Sequence, residues 1–141
     1  MITKLFMFQC LIMSCILMKT MALSDKRVCL THLFTVYIVN NLPPNSSPLV
    51  VHCASKDDDL GNHTVVRNQD YHFDFCDNFW STTKFFCHVW WRNKDKAFVV
   101  FKEKFGRTSC LKDVCYWAVK DDGIYYSNYN PPRGLKKRYD W

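Results

Sequence analysis

Cysteine and histidine carry most of the chemical potential of this 141-residue chain, which holds 8 Cys and 5 His. Cys10 and Cys15 fall in an apolar N-terminal stretch, and Cys29, Cys53, Cys76, Cys87, Cys110 and Cys115 are spread over the remainder. Thiols either ligate metal or pair oxidatively. A structural zinc site needs close ligand pairs in matched sets. Here Cys110 and Cys115 form a close pair with no second pair to match it, so no metal is expected. An even set of cysteines in a short secreted chain reads instead as a disulfide framework, whose pairing spacing alone does not choose.

The histidines are His32, His52, His63, His72 and His88. Two imidazoles held close together would suit acid–base cleavage of a phosphodiester. His72 and His88 are the candidate pair, provided that their strands lie side by side. Their neighbours argue otherwise: His72 shares a strand face with Asp74, and His88 shares one with Lys84 and Arg92, which are solvent-facing surroundings. There is no Gly-x-Ser-x-Gly elbow, and with only 4 Gly a glycine-rich phosphate loop is absent as well. No catalytic residue and no cofactor are expected. The run Asp57-Asp58-Asp59 has the oxygens to hold calcium. Consecutive aspartates in an extended loop point apart, however, and no EF-hand spacing follows. It reads as a solvated acidic turn, similar in character to Asp121-Asp122, and loops of this kind carry recognition on rigid scaffolds.

The N-terminus has a layout of its own. Lys4 precedes an apolar run from Leu5 to Met18, Lys19 ends it, and Thr20-Met21-Ala22 offers a small-x-small cleavage site. That is the pattern of a signal peptide. The run falls short of the roughly 20 residues that cross a bilayer as a helix. We therefore expect residues 1–22 to be a signal peptide and 23–141 to be one secreted domain with no membrane insertion. Removing 1–22 takes away Lys4 and Lys19 and lowers the net charge from +6 to +4. Mild basicity without an Arg/Lys stripe excludes a nucleic-acid partner. The cluster Arg133, Lys136, Lys137 and Arg138 reads as a solvated tail. Asn45-Ser46-Ser47 and Asn62-His63-Thr64 are acceptor sequons, so Asn45 and Asn62 are expected to be exposed and glycosylated.

Short β-rich runs must position these residues. Phe34 to Val39, Leu49 to Ala54, Thr83 to Trp91, Phe98 to Phe101, Tyr116 to Val119 and Ile124 to Tyr126 are β-branched or aromatic and bounded by turn residues. Thr64 to Arg67 and Tyr71 to Phe75 suggest a hairpin around Asn68-Gln69-Asp70. Asp122-Gly123 suits a tight hairpin turn. About eight short strands at this spacing predict an all-β antiparallel sandwich or barrel. Alternation places Phe85, Cys87, Val89 and Trp91 on a core face, with Cys115, Trp117 and Val119 on another. Trp80 and Trp90 fall on or near outer faces, where they are candidates to stack on sugars or anchor a partner.

Three segments in order resemble the plant self-incompatibility protein family, also called the S-protein homologues. They are Val51-His52-Cys53-Ala54-Ser55-Lys56-Asp57-Asp58-Asp59-Leu60-Gly61, the stretch Phe79 through Trp91 centred on Thr82-Thr83-Lys84-Phe85-Phe86-Cys87, and Cys115-Tyr116-Trp117-Ala118-Val119-Lys120-Asp121-Asp122-Gly123-Ile124-Tyr125. The resemblance covers about Phe34 to Asn128. It implies a disulfide-stapled β-sandwich without catalytic activity, secreted as an extracellular ligand that binds a cell-surface receptor or another extracellular protein. It also implies bridges Cys53–Cys115 and Cys87–Cys110. Cys29 and Cys76 depart from the family's four-cysteine pattern and are left as a third pair. The expected protein is a monomeric recognition ligand acting in cell–cell communication of the kind that rejects self pollen; the alternative is a secreted carbohydrate-binding or defence protein. Its expected partner-binding loops carry Asn40 to Asn45, Asp57, Asp58, Asp59, Asn93, Lys94, Asp95, Lys96, Asp121 and Asp122.

Overall fold

The computed structural model describes residues 2–19, 28–104 and 107–141. The apolar N-terminal run is a helix, α1 (Ile2–Lys19). Among the described residues no helix is long and apolar enough to cross a membrane. The expected cleavage site Thr20-Met21-Ala22 lies outside the described residues.

Ten strands follow among the described residues: β1 (Leu33–Asn40), β2 (Leu49–Ser55), β3 (Asp59–Val65), β4 (Asp70–Cys76), β5 (Lys84–Trp91), β6 (Lys94–Lys104), β7 (Arg107–Thr108), β8 (Val114–Lys120), β9 (Gly123–Ser127) and β10 (Lys136–Tyr139). They form two five-stranded sheets, in the orders β10-β9-β8-β1-β4 and β3-β2-β5-β6-β7. The protein is all-β, as its turn spacing predicts. One pairing breaks the antiparallel rule: β1 runs parallel to β8, with Thr35 opposite Val114 and Asn40 opposite Val119.

The core forms between the two sheets because alternate residues of each strand are apolar. Phe85, Cys87, Val89 and Trp91 of β5 are all buried. Phe34, Phe75, Phe85 and Phe101 pack ring against ring at centroid distances of 4.5–5.8 Å. Burying each such side chain contributes about 1.5–3 kcal/mol. The indole of Trp117 donates to the Val100 carbonyl at 3.1 Å, so its one polar atom is satisfied inside. On β8 the outward residues Tyr116 and Ala118 are buried too, since Val39, Tyr37, Tyr125 and Leu135 cover that side of the sheet.

Three expectations change. Thr64–Arg67 and Tyr71–Phe75 are not a hairpin: β3 pairs with β2 and β4 pairs with β1, in different sheets. Residues 66–69 cross from one sheet to the other. Buried Asn40 fixes the crossing, its amide donating to Val65 O at 2.8 Å while its carbonyl oxygen accepts from Leu42 N at 3.0 Å. The cluster Arg133, Lys136, Lys137 and Arg138 is exposed to solvent as expected, but it is not a tail, because Lys136–Tyr139 form β10 and pair with β9.

The third change is the disulfide pairing. Cys29–Cys76 is bridged as expected, but the other bridges are Cys53–Cys87 and Cys110–Cys115, in place of Cys53–Cys115 and Cys87–Cys110. Cys53 and Cys87 are direct cross-strand partners on β2 and β5, with Cα atoms 4.0 Å apart. Cys115 lies on β8 in the opposite sheet, a layer of about 10 Å away. It meets Cys110 instead, because the short turn Leu111–Asp113 folds the chain back just before β8.

Candidate functional site

Strand direction sorts the turns into two ends of the sandwich. One end holds the β2–β3 turn, the loop 77–83 between β4 and β5, and the Leu111–Asp113 turn before β8. The other holds the loop 41–48, the crossing 66–69, the β5–β6 turn at Arg92-Asn93 and the β8–β9 turn at Asp121-Asp122. The expected recognition residues are divided between these ends.

At the second end Lys94, Asp122 and Trp141 are occupied. Lys94 Nζ donates to Asp121 O at 3.1 Å and lies 5.5 and 5.8 Å from the Trp91 and Trp141 ring centroids. Asp122 accepts from the Tyr125 hydroxyl at 2.7 Å and pairs with Lys137 at 3.7 Å. The tyrosine bond first, then the Lys137 charge, holds the Asp122 carboxyl below its usual range. Trp141 Nε1 donates to Lys120 O at 2.8 Å. Lys94, Asp95 and Lys96 are not loop residues: they open β6 opposite Trp91, Trp90 and Val89, and only Asn93 with Arg92 forms the turn. Asp95 bonds His88 at 2.7 Å.

The first end is built differently. The Ser55 hydroxyl accepts from the backbone N–H groups of Asp57 and Asp58, and Ser55 N donates to Asp58 O at 2.7 Å. This locks the turn through backbone atoms and leaves two carboxylates over. Asp59 is consumed: it accepts from Gly61 N at 2.9 Å and meets His52 at 2.6 Å, and these bonds lower its pKa. Asp57 and Asp58 are exposed and make no ion pair among the described residues.

They line a cleft of about 460 Å³ together with Lys56, Asn78, Lys84 and Phe86. The far wall is the loop 77–83, which Asn78 cages. Its backbone N–H donates to Thr83 Oγ1 at 2.8 Å, its side-chain amide donates to Thr82 Oγ1 at 2.9 Å, and its side-chain oxygen accepts from Thr82 N at 2.9 Å. At the tip of this caged loop Phe79 is 84% exposed and Trp80 79% exposed. Beneath it Glu103 is only 7% exposed, and its Oε2 has no hydrogen-bond partner among the described residues. Burial pushes its pKa up, the Asp77 charge adds to this, and the Ser81 hydroxyl opposes it. The N-terminal segment braces the same loop: Thr31 Oγ1 donates to Asp77 O at 2.7 Å and His32 N to the Asp77 carboxylate at 2.7 Å.

His72 and His88 are not brought together, since β4 and β5 belong to different sheets. His88 faces His52 across the β2–β5 ladder instead, and each of the two is held by its own aspartate. Trp90 stacks on His88 at 3.9 Å. Asn45 lies in the loop 41–48 and Asn62 on β3, both exposed and both away from the cleft. Phe79 is a site residue that sequence reasoning missed, as are Lys56, Asn78 and Lys84 of the cleft. The signal was present in the Asn78 and Ser81-Thr82-Thr83 that flank the two aromatics, a polar cage that pushes them outward.

The description "Plant self-incompatibility protein S1" belongs to the family model that matches residues 35–141, from β1 through β10 and across the whole cleft. The chain belongs to the plant self-incompatibility S1 family. Among S1-family relatives, S-protein homolog 5 of Arabidopsis thaliana is 42% identical over 89 residues, covering 63% of this chain and 67% of its own length. Self-incompatibility protein S1 of Papaver rhoeas is 34% identical over 88 residues, covering 62% of this chain and 63% of its own. S-protein homolog 29 of Arabidopsis thaliana is 31% identical over 107 residues, covering 75% and 76%. The first two matches thus span about two thirds of those relatives' length. The S1 family is one of recognition proteins and not a known enzyme family.

Proposed function

We propose that this S1-family protein is a secreted extracellular ligand that acts in cell–cell recognition by binding a cell-surface protein through the cleft end. One observation carries the reading. The Ser55-locked turn holds the Asp57 and Asp58 carboxylates open beside a cleft, while the carboxylates of Asp59, Asp95 and Asp122 are engaged within the fold. Asp121 also keeps an exposed carboxylate, but it stands alone at the other end of the sandwich, on a turn whose carbonyl Lys94 holds. Fixed, unpaired charges at loops set partner choice and association rate. The arrangement of sequons supports the same surface. Glycans on Asn45 and Asn62 would shield the far end and the β3 edge and leave the cleft end bare. Secretion rests on the N-terminal layout, with residues 1–22 as a signal peptide and 23–141 as the mature domain.

The test is charge reversal. Asp57→Lys with Asp58→Lys should leave the fold intact and weaken binding of the secreted protein to its target cells, with the loss mainly in association rate. Asp121→Lys should change binding little. Normal binding by the Asp57/Asp58 variant would show that the recognition surface lies elsewhere.

A further inference from the structure

We propose that Phe79 and Trp80 form an anchor that inserts into an apolar pocket on the partner protein, a pocket rimmed by side chains of both charge signs. The inference rests on the reading of the cleft end as the contact surface and names the chemistry that it would meet. Two large aromatics at adjacent loop positions, each about four-fifths exposed, are a contiguous apolar feature of the kind that marks interaction sites. Aromatic anchors of this sort dominate binding energy when a partner desolvates them. The Asn78 cage already fixes the loop backbone, so little ordering entropy is lost on docking.

Geometry selects among occupants. The two rings stand edge to face, at 5.8 Å between centroids and 86° between planes. They make a protruding knob and not a flat platform of the type that stacks on a sugar ring. Beside the knob the cleft presents Asp57 and Asp58 together with Lys56 and Lys84, none of them ion-paired among the described residues. A neutral glycan complements neither sign, and an anionic bilayer complements only the lysines. A protein surface with a hollow for the knob and a mixed-charge rim satisfies all four groups.

The experiment uses the secreted full-chain product, fluorescently labelled, on intact plant cells (pollen included) before and after surface trypsin treatment, and on phosphatidylcholine and phosphatidylserine vesicles. Wild type should bind saturably to a trypsin-sensitive site. Phe79→Ala with Trp80→Ala should bind roughly 30-fold or more weakly, the size of an anchor loss, with unchanged circular dichroism and thermal midpoint. Trp80→Phe, which keeps an apolar ring, should lose less. Equal binding by the double alanine variant overturns the anchor and leaves the recognition reading standing. Vesicle binding that needs the knob overturns the protein-pocket assignment. A wild type without any trypsin-sensitive site removes both readings.

Discussion

A methyl group placed on Gly123 would meet the carbonyl oxygen of Tyr139 and the side chain of Lys137. The residue also has φ +147°, a conformation that L side chains rarely adopt. Here the absence of a side chain lets β10 lie against the start of β9. Gly123→Val should therefore destabilise the domain by about 1–3 kcal/mol, in the range of strained backbone substitutions. The thermal midpoint should fall by several degrees and amide exchange at 136–139 should accelerate; an unchanged midpoint would contradict the close approach. The Asp-Gly pair was legible as a hairpin turn in the sequence. What closes over it was not, because Lys136 to Tyr139 carry the charge of a tail and only the pairing with Ile124 to Tyr126 makes them a strand. Residue type also failed to separate the aspartates. Asp57, Asp58 and Asp59 are the same in sequence, but the Gly61 amide and His52 select the third for internal use.

On the scale of elements, the loop 77–83 rests on β6 through Glu103, whose backbone N–H donates to Thr83 O at 2.9 Å. Its buried carboxyl titrates above the ordinary value of 4.5. In the window between that value and the raised one, the folded state binds the proton more than the unfolded state does. Stability therefore falls as pH rises through the window, and the loss is complete above it. Glu103→Gln, which stays neutral and keeps the shape, should flatten this part of the stability–pH curve measured by urea unfolding. A slope equal to that of wild type would mean that Glu103 is not its source. Strands were the legible part of this architecture. The alternation of Phe85, Cys87, Val89 and Trp91 marks β5 because one of its faces is buried and the other is not. The β3–β4 connection was misread since local turn chemistry at Asn68-Gln69-Asp70 is the same whether the chain returns to its own sheet or crosses to the other. The deciding contact, Asn40 to Val65, spans 25 residues.

For the whole molecule, the bridges are distributed unevenly. Cys29–Cys76 and Cys110–Cys115 both lie at the cleft end, and Cys53–Cys87 joins neighbouring strands inside one sheet. Non-reducing peptide mapping should recover a Cys53–Cys87 crosslinked peptide, and tryptic cleavage at Lys112 should leave its two fragments joined through Cys110 and Cys115. A Cys53–Cys115 peptide would refute this arrangement. Cys29→Ser with Cys76→Ser should leave the sandwich folded, at a loss of about 2–4 kcal/mol for a bridge of this kind, and should raise amide exchange in 28–32 and 77–83 first. The parallel pairing of β1 with β8 also bears on how the chain comes into being. Val36 and Ile38 have their sheet neighbours Cys115 and Trp117 on a segment translated nearly eighty residues later. At ordinary elongation rates of about 5–20 residues per second, β1 waits on the order of ten seconds for the strand that completes its sheet. Much of the second sheet emerges from the ribosome during that interval, so this domain acquires its central ladder only when synthesis is nearly finished.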